Sequence, residues 1–232
     1  MVEMLLISNS YSYKKEYLDH CIPEIKSISE DITEILFIPY ALSNNDAYFQ
    51  KVKQRLAEVN LNVISIHQQR KKRDAILNSK AIFVGGGNTF LLLKKMYDEK
   101  LLDPIRKSVG QGSVYIGTSA GIVIAGPTIK TTNDMPIVFP PSFDALHLLN
   151  FHINAHYFDT DPDCKVMMET RFQRIKEFQE QNKSIVLGLR EDSLLRINER
   201  SMIVKGKLGC KIFPIEGDPY DVNCNSDLSY LL

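Results

Sequence analysis

The sequence predicts an α/β protein with a doubly wound, mainly parallel sheet, and three observations predict it. Short runs rich in Val, Ile and Leu alternate with longer amphipathic segments, the pattern of strand-helix-strand crossovers. Two glycine clusters, Gly85-Gly86-Gly87 and Gly117 to Gly121, each follow an apolar run and precede a helical pattern. The 232 residues, 44% hydrophobic and 24% charged, suffice for one well-cored domain, expected over residues 1–232.

The first strand is expected at Met4 to Ser8 and the next at Ile35 to Ile38. A helix follows over Asp46 to Val59, behind the capping candidates Ser43 and Asn44. Val63 to Ile66 and Ala81 to Val84 read as strands, and Thr89 to Glu99 as the helix after the first glycine cluster. Ser113 to Gly117 is a further strand. Lys165 to Gln181 is a helix behind the start signal Asp161-Pro162-Asp163, and Ser184 to Leu189 is a strand. Right-handed crossovers between these strands give a sheet covered on both faces. The remaining short runs, Leu194 to Ile197, Met202 to Val204 and Lys211 to Phe213, read as small antiparallel hairpins appended to that sheet.

Lys+Arg and Asp+Glu both number 28, so no net field draws nucleic acid or an anionic membrane, and neither is expected as a partner. Arg70-Lys71-Lys72-Arg73 reads as a solvated face. Cys21, Cys164, Cys210 and Cys224 are scattered without a C-x-x-C pair, which fits free thiols in a reducing cytosol rather than a disulfide framework or zinc knuckle. Glu3 stands where a signal peptide needs bases, so a cytoplasmic protein without a leader is expected. Ser108 to Ile129 lacks charge over a span nominally long enough for a bilayer. Its six glycine and proline breaks favour a buried strand-turn-helix.

Gly117-Thr118-Ser119-Ala120-Gly121 has the G-x-S-x-G form, between an apolar strand and an apolar helical run. A sharp turn there exposes Ser119 as a candidate nucleophile at the C-terminal edge of the sheet. The N–H of Ala120, at a helix start, is a candidate oxyanion donor. Gly85-Gly86-Gly87-Asn88-Thr89 can bring bare N–H groups to the same edge. It lacks the endings of a P-loop or a dinucleotide site, and Gly87 is the preferred second oxyanion donor.

A nucleophilic serine needs a base and an orienting acid. Phe151 to Tyr157 alternates like a strand, with His152, Asn154 and His156 on one face and His156 near its end. Were the segment helical, His152 and His156 would form an i,i+4 metal pair, but the H-E-x-x-H glutamate is missing, and no metal is expected. Two acids compete for the third role. Asp134 gives the chain order Ser-Asp-His, while Glu191 follows a buried-looking strand.

Taken together, Gly85-Gly86-Gly87-Asn88-Thr89-Phe90, Tyr115 to Gly121, Thr131 to Val138 and Ile153-Asn154-Ala155-His156 resemble the peptidase E family of aspartyl dipeptidases in order and approximate spacing. The likeness runs from the first strand to Gly188-Leu189-Arg190-Glu191 and weakens in the C-terminal hairpins. It implies a fold similar to class I glutamine amidotransferase domains and a cytoplasmic serine peptidase, needing no cofactor, that cleaves dipeptides with N-terminal aspartate. Carried over by position, it implies Ser119 as nucleophile, His156 as base and Asp134 or Glu191 as acid. Arg171 becomes the aspartate-binding arginine, with Asn88 a second substrate-binding candidate. Thr118 and Ala155 depart from the tryptophan and proline common at those positions. Cyanophycinase-like cleavage of an Asp-Arg polymer and a non-catalytic binding protein are the alternative readings.

Overall fold

A computed structural model describes residues 2–160 and 169–232. Seven strands form the main sheet in the order β3-β2-β4-β5-β1-β8-β9, comprising β1 (Met4–Ile7), β2 (Glu34–Ile38), β3 (Asn62–Ser65), β4 (Ala81–Val84), β5 (Val114–Thr118), β8 (Ser193–Ile197) and β9 (Met202–Gly206). The first five in that order run parallel, and β8 and β9 are added as an antiparallel hairpin.

Strand periodicity divides the core into two layers. Leu5 and Ile7 face a cluster built with Ile25 of α1 (Ile22–Ile28) and Phe49, Val52 and Leu56 of α2 (Asn45–Ala57). Met4 and Leu6 face the opposite cluster, with Leu92 and Met96 of α4 (Thr89–Asp98) and Ile105 and Val109 of α5 (Leu102–Gly110). Both faces are therefore covered, as a doubly wound sheet requires. Between β3 and β4, α3 (Lys72–Leu77) begins inside the basic run, where Lys72 Nζ pairs with Glu99 at 2.7 Å and Arg70, Lys71 and Arg73 are exposed. Ser108 to Ile129 ends α5, crosses the sheet as β5 and turns into α6 (Ala120–Val123). No helix among the described residues is long and apolar enough to cross a membrane.

The C-terminal third departs from expectation. The strand expected from Ser184 is β7 (Val186–Arg190), and it lies outside the main sheet. It pairs in parallel with β6 (His152–Tyr157) and antiparallel with β10 (Cys210–Phe213), to which β11 (Tyr220–Val222) is added. The hairpin β8-β9 occupies the edge beside β1, leaving β6 and β7 no place there. They build a second four-stranded sheet whose Leu187, Leu189 and Ile212 join the α4-α5 core layer. The helix expected from Lys165 begins, within the described residues, as α7 (Arg171–Gln181), while Asp161-Pro162-Asp163 and Lys165 lie outside those residues. Its start is a capping box, with Thr170 Oγ1 accepting the Gln173 N–H at 3.1 Å and Gln173 Oε1 accepting the Thr170 N–H at 2.8 Å.

β6 carries a buried histidine that ties the second sheet together. His152 Nε2 lies 2.9 Å from Thr128 Oγ1 and Nδ1 lies 2.8 Å from Ser184 Oγ, so a neutral ring satisfies both sides. Burial, reinforced by Lys130, pulls its pKa down to about 4. Between that value and the ordinary 6.5 the unfolded chain binds the extra proton and the folded chain does not. Stability from this site is therefore complete above about pH 6.5 and is lost as pH falls toward 4. Chemical denaturation midpoints are expected to drop across that window, and His152→Gln is expected to flatten the drop.

Candidate active site

The site lies where β5, β6 and β7 end together. Ser119 stands between β5 and α6 with φ +50° and ψ −111°, a strained conformation held by close backbone packing. A Cβ on Gly117 would lie 2.7 Å from the Gly121 carbonyl oxygen, and one on Gly121 would lie 2.4 Å from that of Val84. The two glycines of G-x-S-x-G therefore let strand, turn and neighbouring strand touch. This lifts the serine side chain out of the sheet edge.

Ser119 Oγ is 2.7 Å from His156 Nε2, and His156 Nδ1 is 3.2 Å from Glu191 Oε1. The three groups come from β5-α6, β6 and the β7-β8 turn, which is why no contiguous motif contains them. The simple alternation expected for β6 breaks at a bulge between Asn154 and Tyr157, where His156 takes φ +55°. That bulge turns His156 toward the serine, whereas Asn154 stays buried and donates from Nδ2 to the Thr131 carbonyl at 2.8 Å. Ser8 fixes the bulge by accepting the His156 N–H at 3.0 Å and donating to the Leu189 carbonyl at 2.8 Å. Asn9 and Ser12 fix the turn that carries Glu191: Asn9 Oδ1 accepts the Asp192 N–H at 2.8 Å and Ser12 Oγ donates to Asp192 Oδ2 at 2.7 Å. Sequence reasoning missed Ser8, Asn9 and Ser12, and their only signal was a polar run directly after the first strand.

Ala120 opens α6, so its N–H has no acceptor within the helix. Gly87 lies on the same cleft at φ +137°, with room there only for glycine because a Cβ would sit 2.4 Å from the Ala41 carbonyl oxygen.

Other expected residues are placed elsewhere. Asp134 does not reach His156; its Oδ2 accepts the Thr89 N–H at 2.8 Å and the Thr89 hydroxyl at 2.6 Å, seating an anion on the first turn of α4. Asn88 caps that helix through Oδ1, which accepts the Leu91 N–H at 3.0 Å, and donates from Nδ2 to the Met135 carbonyl at 2.8 Å. The side chain of Asn88 thus caps α4 and ties it to the segment after Asp134. Because β6 is a strand and both His152 nitrogens are engaged, His152 and His156 do not form a metal pair. Thr118 is fully buried and forms no part of the cleft wall.

Arg171, the first residue of α7, is half-buried, and its Nη1 donates to the carbonyls of Ala155, at 3.0 Å, and His156. Its guanidinium lies 4.5 Å from the Phe158 ring centroid. Burial pulls its pKa down, and Glu191 opposes that shift. It lines a cavity of about 480 Å³ that shares His156 and Glu191 with the Ser119 cleft.

A sequence model of peptidase family S51 matches residues 4–205. A Drosophila melanogaster protein named "Probable alpha-aspartyl dipeptidase" is 40% identical over 232 residues, covering 99% of this chain and 97% of its own length. Peptidase E of Streptomyces coelicolor is 39% identical over 231 residues, covering 100% of this chain and 95% of its own. The crystal structure of a peptidase from an acI-B1 Actinobacterium shares the fold, with a TM-score of 0.74 at 17% identity, covering 98% of this chain and 96% of that one. An elbow serine bonded to a histidine is thus set in a chain that matches these peptidases almost end to end, and the chain belongs to peptidase family S51.

Proposed function

We propose that this peptidase is a cytoplasmic serine dipeptidase that hydrolyses Asp-X dipeptides through an acyl-enzyme. The observation that carries the reading is the continuous chain Ser119 Oγ, His156 Nε2, His156 Nδ1 and Glu191 Oε1, mounted on a strained elbow beside the Ala120 and Gly87 amides. Ser119 attacks the peptide carbonyl while His156 Nε2 takes its proton, and the Ala120 and Gly87 N–H groups hold the oxyanion. Collapse breaks the C–N bond, His156 returns the proton to the departing amine, and the second residue leaves. Water, deprotonated by His156, then attacks the ester; aspartate departs and Ser119 recovers its proton. The name of the Drosophila relative and a half-buried arginine beside the histidine support aspartate as the first residue. Cytoplasmic residence is supported by the free thiols Cys21, Cys210 and Cys224.

The acid is proposed to be Glu191. Glu191→Gln removes the charge that stabilises the imidazolium and is expected to lower kcat by on the order of 10²-fold or more with folding retained. Asp134→Asn keeps an acceptor for Thr89 and is expected to leave kcat within about threefold, while costing about 0.5–1 kcal/mol of stability at the start of α4. Circular dichroism melts and steady-state rates on Asp-Leu separate the two. Equal activity in both variants removes Glu191 from the role. The reading as a whole is tested by a dipeptide panel, in which release of free leucine from Asp-Leu but not Ala-Leu is expected.

A further inference from the structure

The Ser119 cleft continues well past the nucleophile, with a volume of about 740 Å³. α2 forms its far wall, where Ala47, Tyr48 and Lys51 lie on one helical face, and residues after β1 supply Tyr11 and Tyr17. The Lys51 ammonium lies 4.4 Å from the Tyr11 ring centroid and 4.9 Å from that of Tyr17. No carboxylate among the described residues pairs with it. Tyr17 and Tyr48 are buried, with their hydroxyls 3.2 Å apart. The cleft wall thus carries Lys51, a cation framed by aromatic rings and without a carboxylate partner among the described residues, and Glu191 lines the same cleft.

This arrangement matters for a substrate with two residues. The arginine-lined cavity and the aromatic cleft meet at His156 and Glu191, one on each side of the proposed chemistry. A first residue whose side-chain carboxylate goes to Arg171 leaves only the aromatic cleft for the second. The free α-carboxylate of that second residue is repelled by Glu191 and attracted by Lys51. Its side chain meets the Tyr11 and Tyr17 rings.

We propose that the cleft between α2 and the residues following β1 is the leaving-residue subsite, in which Lys51 holds the free α-carboxylate and the tyrosine rings pack an apolar or aromatic side chain. The proposal rests on the Asp-X dipeptidase reading and adds to it a reason for stopping at two residues. A substrate lacking that carboxylate gains nothing from Lys51, and a longer chain places a neutral amide there.

The test compares Asp-Leu with Asp-Leu amide in wild type, Lys51→Met and Lys51→Arg. Lys51→Met keeps the apolar stem against the rings and removes only the charge. It is expected to raise KM for Asp-Leu about tenfold with kcat nearly unchanged, and to leave Asp-Leu amide unaffected. Lys51→Arg is expected to retain most of the preference for the free carboxylate. Equal effects of Lys51→Met on the two substrates, or no effect on either, overturn the subsite. Should wild type cleave neither, the dipeptidase reading fails separately. Calorimetric binding of the same two compounds to Ser119→Ala, with and without Lys51→Met, then decides the subsite. A preference for the free carboxylate that disappears with Lys51 upholds it, and no preference or no binding overturns it.

Discussion

Ser119→Ala and His156→Ala are each expected to lower kcat/KM for Asp-Leu by on the order of 10³-fold or more, with the double variant scarcely worse. The reason is geometric. A hydroxyl at its ordinary pKa is a poor nucleophile, and the 2.7 Å bond from Ser119 Oγ to His156 Nε2 is its route for losing the proton. Removing either partner ends proton transfer, so removing the second costs little more. What is expected to remain is binding by the cleft and by the proposed oxyanion donors Ala120 and Gly87, which would still favour the tetrahedral species over solution. Folding is expected to be preserved in both single variants, because both side chains are partly exposed at the cleft rather than buried in the core. Losses that multiply in the double variant would mean that the two residues act in separate steps.

Specificity supplies the second large effect. Arg171 spends Nη1 on the Ala155 and His156 carbonyls, and among the described residues its Nε and Nη2 donors on one edge are left for a planar carboxylate. Asp-Leu is therefore expected to be cleaved well and Asn-Leu on the order of 10²-fold less well, since the neutral amide loses the charge pairing and turns an N–H₂ donor toward a donor. Glu-Leu should fare no better. Its extra methylene displaces either the carboxylate from Arg171 or the scissile carbonyl from Ser119, and a shift of about 1 Å costs about 10²-fold. Arg171→Lys supplies a point charge without the fork and is expected to restore only part of the discrimination. Arg171→Met also loosens the carbonyls that flank the His156 bulge, so the decisive quantity is the ratio of kcat/KM for Asp-Leu over Asn-Leu. A merely structural role lowers both rates and leaves the ratio unchanged. An unchanged ratio places aspartate recognition on another residue.

The parts of this molecule legible in its sequence are those set by local rules. Short continuous apolar runs such as Met4 to Ile7 and Ala81 to Val84, bounded by turn residues, read as strands buried on both faces, and the spacing of Gly117, Ser119 and Gly121 encodes a turn that side chains would block. What escaped is set by pairing between distant segments. Nothing local to Ser184 to Leu189 distinguishes a strand of the main sheet from one paired with β6, because the choice depends on β8 having taken the edge beside β1. The bulge at His156 likewise depends on Ser8, far away in the chain. Chain order favoured neither acid, and the structure gives them different partners, with Glu191 hydrogen-bonded to His156 and Asp134 to Thr89. Asn88 was conspicuous as part of a glycine-rich loop, yet Asn is also a favoured helix cap, and the start of α4 uses it that way.

The most direct measurement is covalent labelling of the intact protein by a serine-directed aspartyl phosphonate, read by mass spectrometry of the whole chain and of its peptides. An activated serine in an aspartate-selective site is expected to take one adduct per chain, on Ser119, with Asp-Leu protecting it and His156→Ala abolishing it. An unlabelled Ser119 in the folded protein, or an adduct that forms equally without His156, would contradict nucleophilic catalysis at the elbow.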